Sequence, residues 1–261
     1  MSLKGKTAIV TGSTSGIGLG IATAFAQNGV NIVLNGFGDA GTIETLRASL
    51  AKEHGVAVTY SGADVSKGAD IRAMVADAAK AHGSVDILVN NAGIQFTAPV
   101  TDFPDEKWDA IISINLSSAF HSCKAALPLM QAKGWGRIIN ISSVHGLAAS
   151  AEKVAYVAAK HGLIGLTKVI AVENANKGIT SNAICPGWVL TPLVAKQIAD
   201  RAAQNGTTVA DEEKKIVSEK QPMHKFSTPE DLGALAVFLA SDAAETITGA
   251  SYNMDGGWLA E

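Results

Sequence analysis

Thr7-Ala8-Ile9-Val10-Thr11-Gly12-Ser13-Thr14-Ser15-Gly16-Ile17-Gly18 is the stretch on which the fold turns. Thr7–Val10 is an apolar run that reads as a strand, and Ile17–Asn28 carries a helical period. Only small residues separate the two. Such residues let the backbone turn tightly and let a pyrophosphate approach its N–H groups, while the helix N-terminus stabilises negative charge. A glycine pattern alone also serves ordinary turns. Its position between strand and helix makes Gly12, Thr14, Ser15, Gly16, Ile17 and Gly18 candidate dinucleotide contacts.

Outward from this turn, apolar runs rich in Val and Ile alternate with longer helical segments. Strands are predicted at Val30–Leu34, Val56–Tyr60, Ile87–Asn90, Arg137–Ile141, Ser181–Cys185 and Ser251–Met254, and helices at Ile71–Ala81, Val154–Asn176 and Pro229–Ser241. Strand–helix–strand order predicts an α/β fold, a parallel sheet covered on both faces. No repeat, low-complexity tract or linker interrupts it, so residues 1–261 read as a single domain. Thr191–Gln221 has no place in the alternation. It carries helical signals and mixed charge, and reads as a lid over a substrate at the carboxyl edge of the sheet, or as a solvated helical excursion.

Composition narrows the function classes. The net charge of −3 offers no broad basic field for nucleic acid, and the 47 % hydrophobic fraction suits a protein with many interior strands. Cys123 and Cys185 form no CxxC pair and read as reduced, buried thiols; no cluster has metal-ligand spacing, so no metal is expected. The start, MSLKGKTAIVTG, shows no signal-peptide pattern, and no apolar run approaches the ~20 residues of a membrane span. The cytoplasm is the expected location, with no membrane partner.

The end of the second strand chooses between the two nicotinamide dinucleotides. Asn35-Gly36-Phe37-Gly38 lacks the acid that commonly binds the ribose hydroxyls of NAD. It also lacks a cation for a 2′-phosphate, as do Ser13 and Ser15, and burying an unpaired phosphate is expensive. NAD is therefore the expected cofactor, with Phe37 beside it. Asp64, followed by Val65, either accepts from the adenine amino group or caps a helix near Lys67. In Asn90-Asn91-Ala92-Gly93, Asn91 would order the strand ends while Ala92 and Gly93 leave room for the cofactor.

Tyr156 and Lys160 stand at i and i+4, which puts them on one face of a helix. An ammonium there favours tyrosinate and lowers a phenol pKa that is ordinarily ~10. Tyr156 can then take a proton from an alcohol as hydride leaves. Ser143 supplies a hydroxyl donor to the same oxygen, and Asn115, in a long helical stretch, is a candidate to bind a water linking Lys160 to solvent.

With these residues in place, the sequence resembles the short-chain dehydrogenase/reductase family over essentially its whole length, through Thr11–Gly18, Asn90–Gly93, Asn115, Ser143, Tyr156, Lys160 and Pro186-Gly187. The resemblance implies a Rossmann fold, a doubly wound seven-stranded parallel sheet in the order 3-2-1-4-5-6-7. It also implies that Asn115, Ser143, Tyr156 and Lys160 form a catalytic tetrad, and that Pro186, Gly187, Val189 and Thr191 join the cofactor contacts. A homotetramer is implied too, with helices around Asp109–Met130 and Val154–Asn174 packing between subunits.

Within that family, the chain resembles the bacterial D-3-hydroxybutyrate dehydrogenases through Leu34–Gly38, Asn91–Gln95, Val144–Leu147, Tyr156–Gly162, Ile184–Val189, Ser218–Pro222 and Asp255–Trp258. This implies that Gln95, His145, Lys153 and Gln197 hold a substrate carboxylate, with Trp188 and Trp258 shaping the methyl end, and that the cofactor is NAD. Physical readings agree in part: Lys153 offers a cation near Tyr156, and Gln95 and His145 follow strand ends, where such sheets bind ligands. A satisfied His145, a solvated Lys153, and packing or interface roles for Trp188 and Trp258 are the plainer readings of each alone. Leu190, Val154 and Met223-His224-Lys225 depart from the pattern of close relatives. The expected activity is NAD-dependent interconversion of (R)-3-hydroxybutyrate and acetoacetate. The competing readings are an NADPH-dependent 3-oxoacyl-thioester reductase and a non-catalytic NAD-binding module.

Overall fold

In the computed structural model, which describes residues 3–260, Thr7–Val10 forms β1, and all four of its residues are buried. It pairs in parallel with β2 (Asn31–Asn35) on one side and β4 (Ile87–Asn90) on the other. Beyond them lie β3 (Val58–Ser61), β5 (Gly136–Ile141), β6 (Ile179–Pro186) and β7 (Ser251–Met254), giving one seven-stranded sheet of order β3-β2-β1-β4-β5-β6-β7. Every pairing is parallel, as the strand–helix alternation implies.

The two faces of the sheet feed two cores. Because successive strand residues point to opposite sides, Ala8 and Val10 enter one core while Ile9 enters the other. Ile32 and Leu34 split from Val33 in the same way, as do Ile87 and Val89 from Leu88. The first core is roofed by α1 (Gly16–Gln27) and α9 (Pro229–Ala240), with α2 (Ala40–His54) alongside. The second is roofed by α3 (Gly68–His82), α5 (Ser118–Lys133) and α6 (Val154–Asn174). Strands covered on both sides need no polar alternation, which is why they read as continuous Val/Ile runs. Truncating a fully buried residue such as Leu88 to Ala costs about 2–5 kcal/mol.

Several boundaries differ from the sequence reading for local reasons. Val30 precedes β2 because its N–H closes the end of α1 onto the Phe25 carbonyl at 3.1 Å. The third strand starts at Val58 rather than Val56. The helix ending at Asn174 continues only as a 3-10 turn, Ala175–Lys177. Taken together, Val154–Lys177 is long and apolar enough to pass as a membrane span by length and composition, which the sequence reading did not anticipate. Here its inner face, with Ala155, Ala159, Leu163 and Ile170, is buried in the fold.

The segment outside the alternation forms two helices, α7 (Pro192–Asn205) and α8 (Val209–Ser218). Thr191 caps α7 with Pro192 at its first position, and Thr208 caps α8. Ile198, Ile216, Val217 and Phe226 make a separate small core, against which Trp188 and Val194 pack. The remaining helix, α4 (Asp105–Ile112), joins α5 through a π-helical turn, Ser113–Ser117.

Candidate active site

The carboxyl ends of β1 and β4 lie side by side where the strand order reverses, the place at which such sheets open a crevice. Asn91 holds this crevice together: its Nδ2 donates to the carbonyls of Thr11 (2.8 Å) and Gly12 (3.0 Å). In return, Thr11 Oγ1 accepts from the N–H groups of Asn91 and Ala92 at 3.0 and 3.1 Å. The glycines are required by contact. A Cβ on Gly18 would stand 2.3 Å from the Gly12 carbonyl oxygen, and Gly12 itself has φ +63° with Ala92 Cα 3.0 Å from where its Cβ would be. Ser15 precedes α1 without making a side-chain cap. The first-turn amides thus form an edge of donors at a helix N-terminus, which suits a pyrophosphate.

Thr14 Oγ1 reaches the Phe37 carbonyl at 3.2 Å, so the glycine loop is tied to the end of β2. Asn35 is not free to act as a ribose ligand would, since its Oδ1 accepts from the Gly12 N–H of the glycine loop at 3.4 Å. It is buried, its Nδ2 donating to the carbonyls of Ser61 and Ala63, both at 3.0 Å. The surface at this point belongs to Gly36 and to Phe37, which is 70 % exposed. Asp64 serves its own turn: Oδ1 accepts from the Ser66 N–H (3.0 Å) and hydroxyl (2.7 Å), and Lys67 pairs with it at 3.3 Å. Those Ser66 bonds hold its carboxyl below the usual range. Val65 is buried in the second core. Thr191 lies across from the loop, its Cγ2 3.6 Å from where a Gly16 Cβ would be, and a Cβ added at Gly93 would stand 3.5 Å from Asn115 Oδ1. Val189 is buried and bridges to Ser227. Gly187, after Pro186, leaves room for Gln221, whose Oε1 would be 2.4 Å from an added Cβ.

Tyr156 and Lys160 both project from α6. Lys160 is buried, and its Nζ donates to the Ile141 carbonyl of β5 at 2.7 Å while lying 5.5 Å from the Tyr156 ring centre. Ser142 Oγ donates to the Lys160 carbonyl at 3.1 Å, a second link between β5 and α6. Burial pushes the lysine down to about 8. Burial pushes the Tyr156 phenol up, and a hydrogen bond with the Ser143 side chain draws it back. Asn115 sits in the π-helical turn with both polar atoms engaged: Oδ1 accepts from the Ile94 N–H at 2.8 Å and Nδ2 donates to the Ile94 carbonyl at 2.9 Å. Its side chain therefore fixes the loop after β4, an arrangement that the expected water contact did not include.

His145 lies beside this pair, its ring centre 6.0 Å from that of Tyr156 and 5.6 Å from that of Trp258. Its Nδ1 is 3.3 Å from Ser143 Oγ and its Nε2 2.8 Å from Ser150 Oγ. Burial, then the positive charges of Lys153, His161 and Lys220, push the imidazole down to about 4. Lys153 is half-buried, and burial lowers its pKa too. No carboxylate pairs with Lys153 or Lys220 among the described residues. Gln95 and Gln197 are exposed and make no side-chain hydrogen bond among the described residues, so the structure does not bring them into this group.

Sequence reasoning gave no role to Lys220, His161 and Gln221, although they fall in segments that carry the resemblance, and it passed over Ser150. The first two bear on His145 through charge, and Ser150 through the bond above. Gln221 is fully buried, its Oε1 accepting from the Trp188 N–H at 2.5 Å and its Nε2 donating to the Lys225 carbonyl at 2.6 Å. No spacing connects residues 220 and 221 to residue 145; only the return of the chain from α8 does.

The group can polarise an alcohol or carbonyl oxygen, move its proton and hold an anion close by. The comparisons agree with that chemistry. The short-chain dehydrogenase family model described as Enoyl-(Acyl carrier protein) reductase matches residues 12–259. A D-beta-hydroxybutyrate dehydrogenase of Cupriavidus necator is 59 % identical over 99 % of this chain and 100 % of its own. One from Rhizobium meliloti is 53 % identical over 98 % and 99 %. The crystal structure of L-sorbose reductase from Gluconobacter frateurii, complexed with NADPH and L-sorbose, superposes with a TM-score of 0.95 at 32 % identity, covering all of both chains. With a matching family model, close full-length relatives and a parallel sheet built around this site, the chain belongs to the short-chain dehydrogenase/reductase family, oxidoreductases that bind a nicotinamide cofactor.

Proposed function

We propose that this enzyme interconverts (R)-3-hydroxybutyrate and acetoacetate with NAD. The observation that carries the substrate is the cationic group beside Tyr156. Lys153 is half-buried beside a His145 held neutral, and no acid answers it among the described residues. A substrate carboxylate completes that pair, since desolvated charge is stable only when partnered. The two similar dehydrogenases named for D-beta-hydroxybutyrate support the same reading.

Gly12, Thr14–Gly18, Phe37, Asp64, Val65, Asn91–Gly93, Pro186, Gly187, Val189 and Thr191 line the cofactor's place. Bound NAD supplies a hydride acceptor. The chain supplies the rest: Tyr156 Oη takes the alcohol proton, Ser143 Oγ donates to the same substrate oxygen, and Lys160 stabilises the phenolate. Asn115 secures the loop through Ile94 and completes the tetrad. NAD rather than NADP is supported by the absence of a cation at Ser13, Ser15, Asn35 and Phe37. Trp188 and Trp258 shape the methyl end, with Gln95 and Gln197 closing on the carboxylate. Residues 191–221, with a core of their own, act as a lid on a single-domain enzyme.

The reading extends to a cytoplasmic homotetramer. Its support is the pair of buried, unpaired cysteines and the outer faces of α5 and α6, where Phe120 and Val169 are exposed and Val172 is 81 % exposed. Sedimentation would report a monomer if those faces were free.

The test is Lys153→Ala, with turnover of (R)-3-hydroxybutyrate compared with that of its methyl ester. KM for the acid should rise about tenfold or more while that of the ester stays near the wild-type value. Equal effects on both would overturn the anion assignment.

A further inference from the structure

Both ring nitrogens of His145 are taken up by serines. Nδ1 faces Ser143 Oγ at 3.3 Å and Nε2 faces Ser150 Oγ at 2.8 Å, so one imidazole joins a hydroxyl of the reacting centre to a hydroxyl outside it. Ser143 is buried and bonded to Tyr156, whose ring stands edge-to-face with that of His145, the centres 6.0 Å apart. Ser150 is half-buried between exposed Ala149 and Ala151. Its loop is held at both ends: the Ala148 N–H reaches the Val144 carbonyl at 2.9 Å, and the Glu152 carbonyl accepts from the Ala98 N–H at 3.0 Å. Glu152 itself has φ +65°, a left-handed conformation that persists in a residue with a side chain only where the surroundings fix it. The line Tyr156–Ser143–His145–Ser150 therefore runs from a buried phenol toward the surface. Asn115, by contrast, has both side-chain polar atoms bound to Ile94.

Every member of this line can both give and take a proton. A serine hydroxyl donates and accepts, and a neutral imidazole offers one N–H and one lone pair. An imidazolium would offer two donors and no acceptor, and burial keeps His145 in the neutral form. Either tautomer satisfies both serines, because each hydroxyl turns to suit. We propose that His145 and Ser150 form the proton path between Tyr156 and solvent. Oxidation of the alcohol removes one hydride, to NAD, and one proton, to the Tyr156 phenolate. The phenol passes a proton to Ser143 Oγ as the Ser143 proton moves to His145 Nδ1. The Nε2 proton then moves to Ser150 Oγ, and the Ser150 proton leaves to water. One proton enters and one leaves at each group, and rotation of the ring and hydroxyls restores the first arrangement. Carbonyl reduction runs the same steps inward. The inference rests on Tyr156 and Ser143 as the proton-handling pair, and not on which acid is the substrate.

The experiment is a single turnover of (R)-3-hydroxybutyrate with NAD in weak buffer, following NADH absorbance and a pH-indicator dye together by stopped flow. In wild type the proton should reach solvent in step with NADH. Ser150→Ala should leave the NADH phase near its wild-type rate and delay the dye signal about tenfold. Ser150→Thr, which keeps the hydroxyl, should restore the pace. His145→Gln should delay the proton as much, since an amide does not pass a proton along, and adding Ser150→Ala to it should delay it no further. A dye signal that keeps step with NADH in Ser150→Ala, or two delays that multiply, would remove the two residues from the path. So would a Ser150→Ala enzyme in which NADH and proton slow alike, the mark of a structural role. Failure of the underlying pair looks different: Tyr156→Phe would then still form NADH near the wild-type rate.

Discussion

Lys160 Nζ donates to the main-chain oxygen of Ile141 at 2.7 Å, while Ser142 Oγ donates back to the Lys160 carbonyl. The lysine ammonium is therefore set by β5 as well as by its own helix. This matters because burial acts on Tyr156 and Lys160 in the same sense, pushing the phenol up and the ammonium down to about 8. Both shifts favour the neutral forms. Chemistry that requires a phenolate needs an opposing influence, and Ser143 provides it through a hydrogen bond to the tyrosine.

Removing that hydroxyl has a signed consequence. Ser143→Ala withdraws a bond that favours the phenolate, so the Tyr156 pKa rises. Alcohol oxidation uses the basic form, and its pH profile should move to higher pH. Carbonyl reduction uses the protonated form, and its decline with pH should move the same way. Rates should fall about 10²–10³-fold. Profiles measured in both directions check this; an unmoved midpoint refutes it.

His145 sits at about 4, well below the usual imidazole value of about 6.5, so it is neutral near neutral pH. For a base shifted downward, the charged form appears only as pH falls toward the lowered value. KM for (R)-3-hydroxybutyrate should thus stay level from about pH 5.5 to about 7.5 if Lys153, and not an imidazolium, supplies the cation. A KM that climbs through pH 6.5 would show otherwise.

The crevice between β1 and α1 has no space at Gly18, where a Cβ would lie 2.3 Å from one backbone oxygen and 2.5 Å from Asn91 Nδ2. Gly18→Ala should weaken NADH binding about tenfold or more, read by fluorescence titration. Gly41→Ala, in α2 with only ordinary contact at 3.4 Å, should leave the titration as it is. Matching effects from the two would mean the loss is not local.

Phe37 is the side chain presented at the end of β2, where a ribose phosphate would need a cation. Wild-type enzyme should favour NAD by kcat/KM, and Phe37→Arg should narrow that preference about tenfold by raising the value for NADP. A wild type that already prefers NADP refutes the assignment.

Much of this molecule was legible in the chain. Strand–helix alternation and unbroken Val/Ile runs determined a parallel sheet buried on both faces, because a strand covered twice has no polar side to show. The i, i+4 spacing of Tyr156 and Lys160 put them on one helical face, and the small residues between β1 and α1 marked the anion edge, since both signals are local. The tertiary structure decided what depends on residues distant in sequence. Asn35 became a buried tie from β2 to the glycine loop and to β3, and Asn115 spent its side chain on Ile94. Gln221 meets Trp188 and the turn at Gly256 only because the chain returns there after α8. Local spacing encodes which face a side chain takes on its own element. Which groups meet across elements, and so which charges go unanswered, is determined by packing.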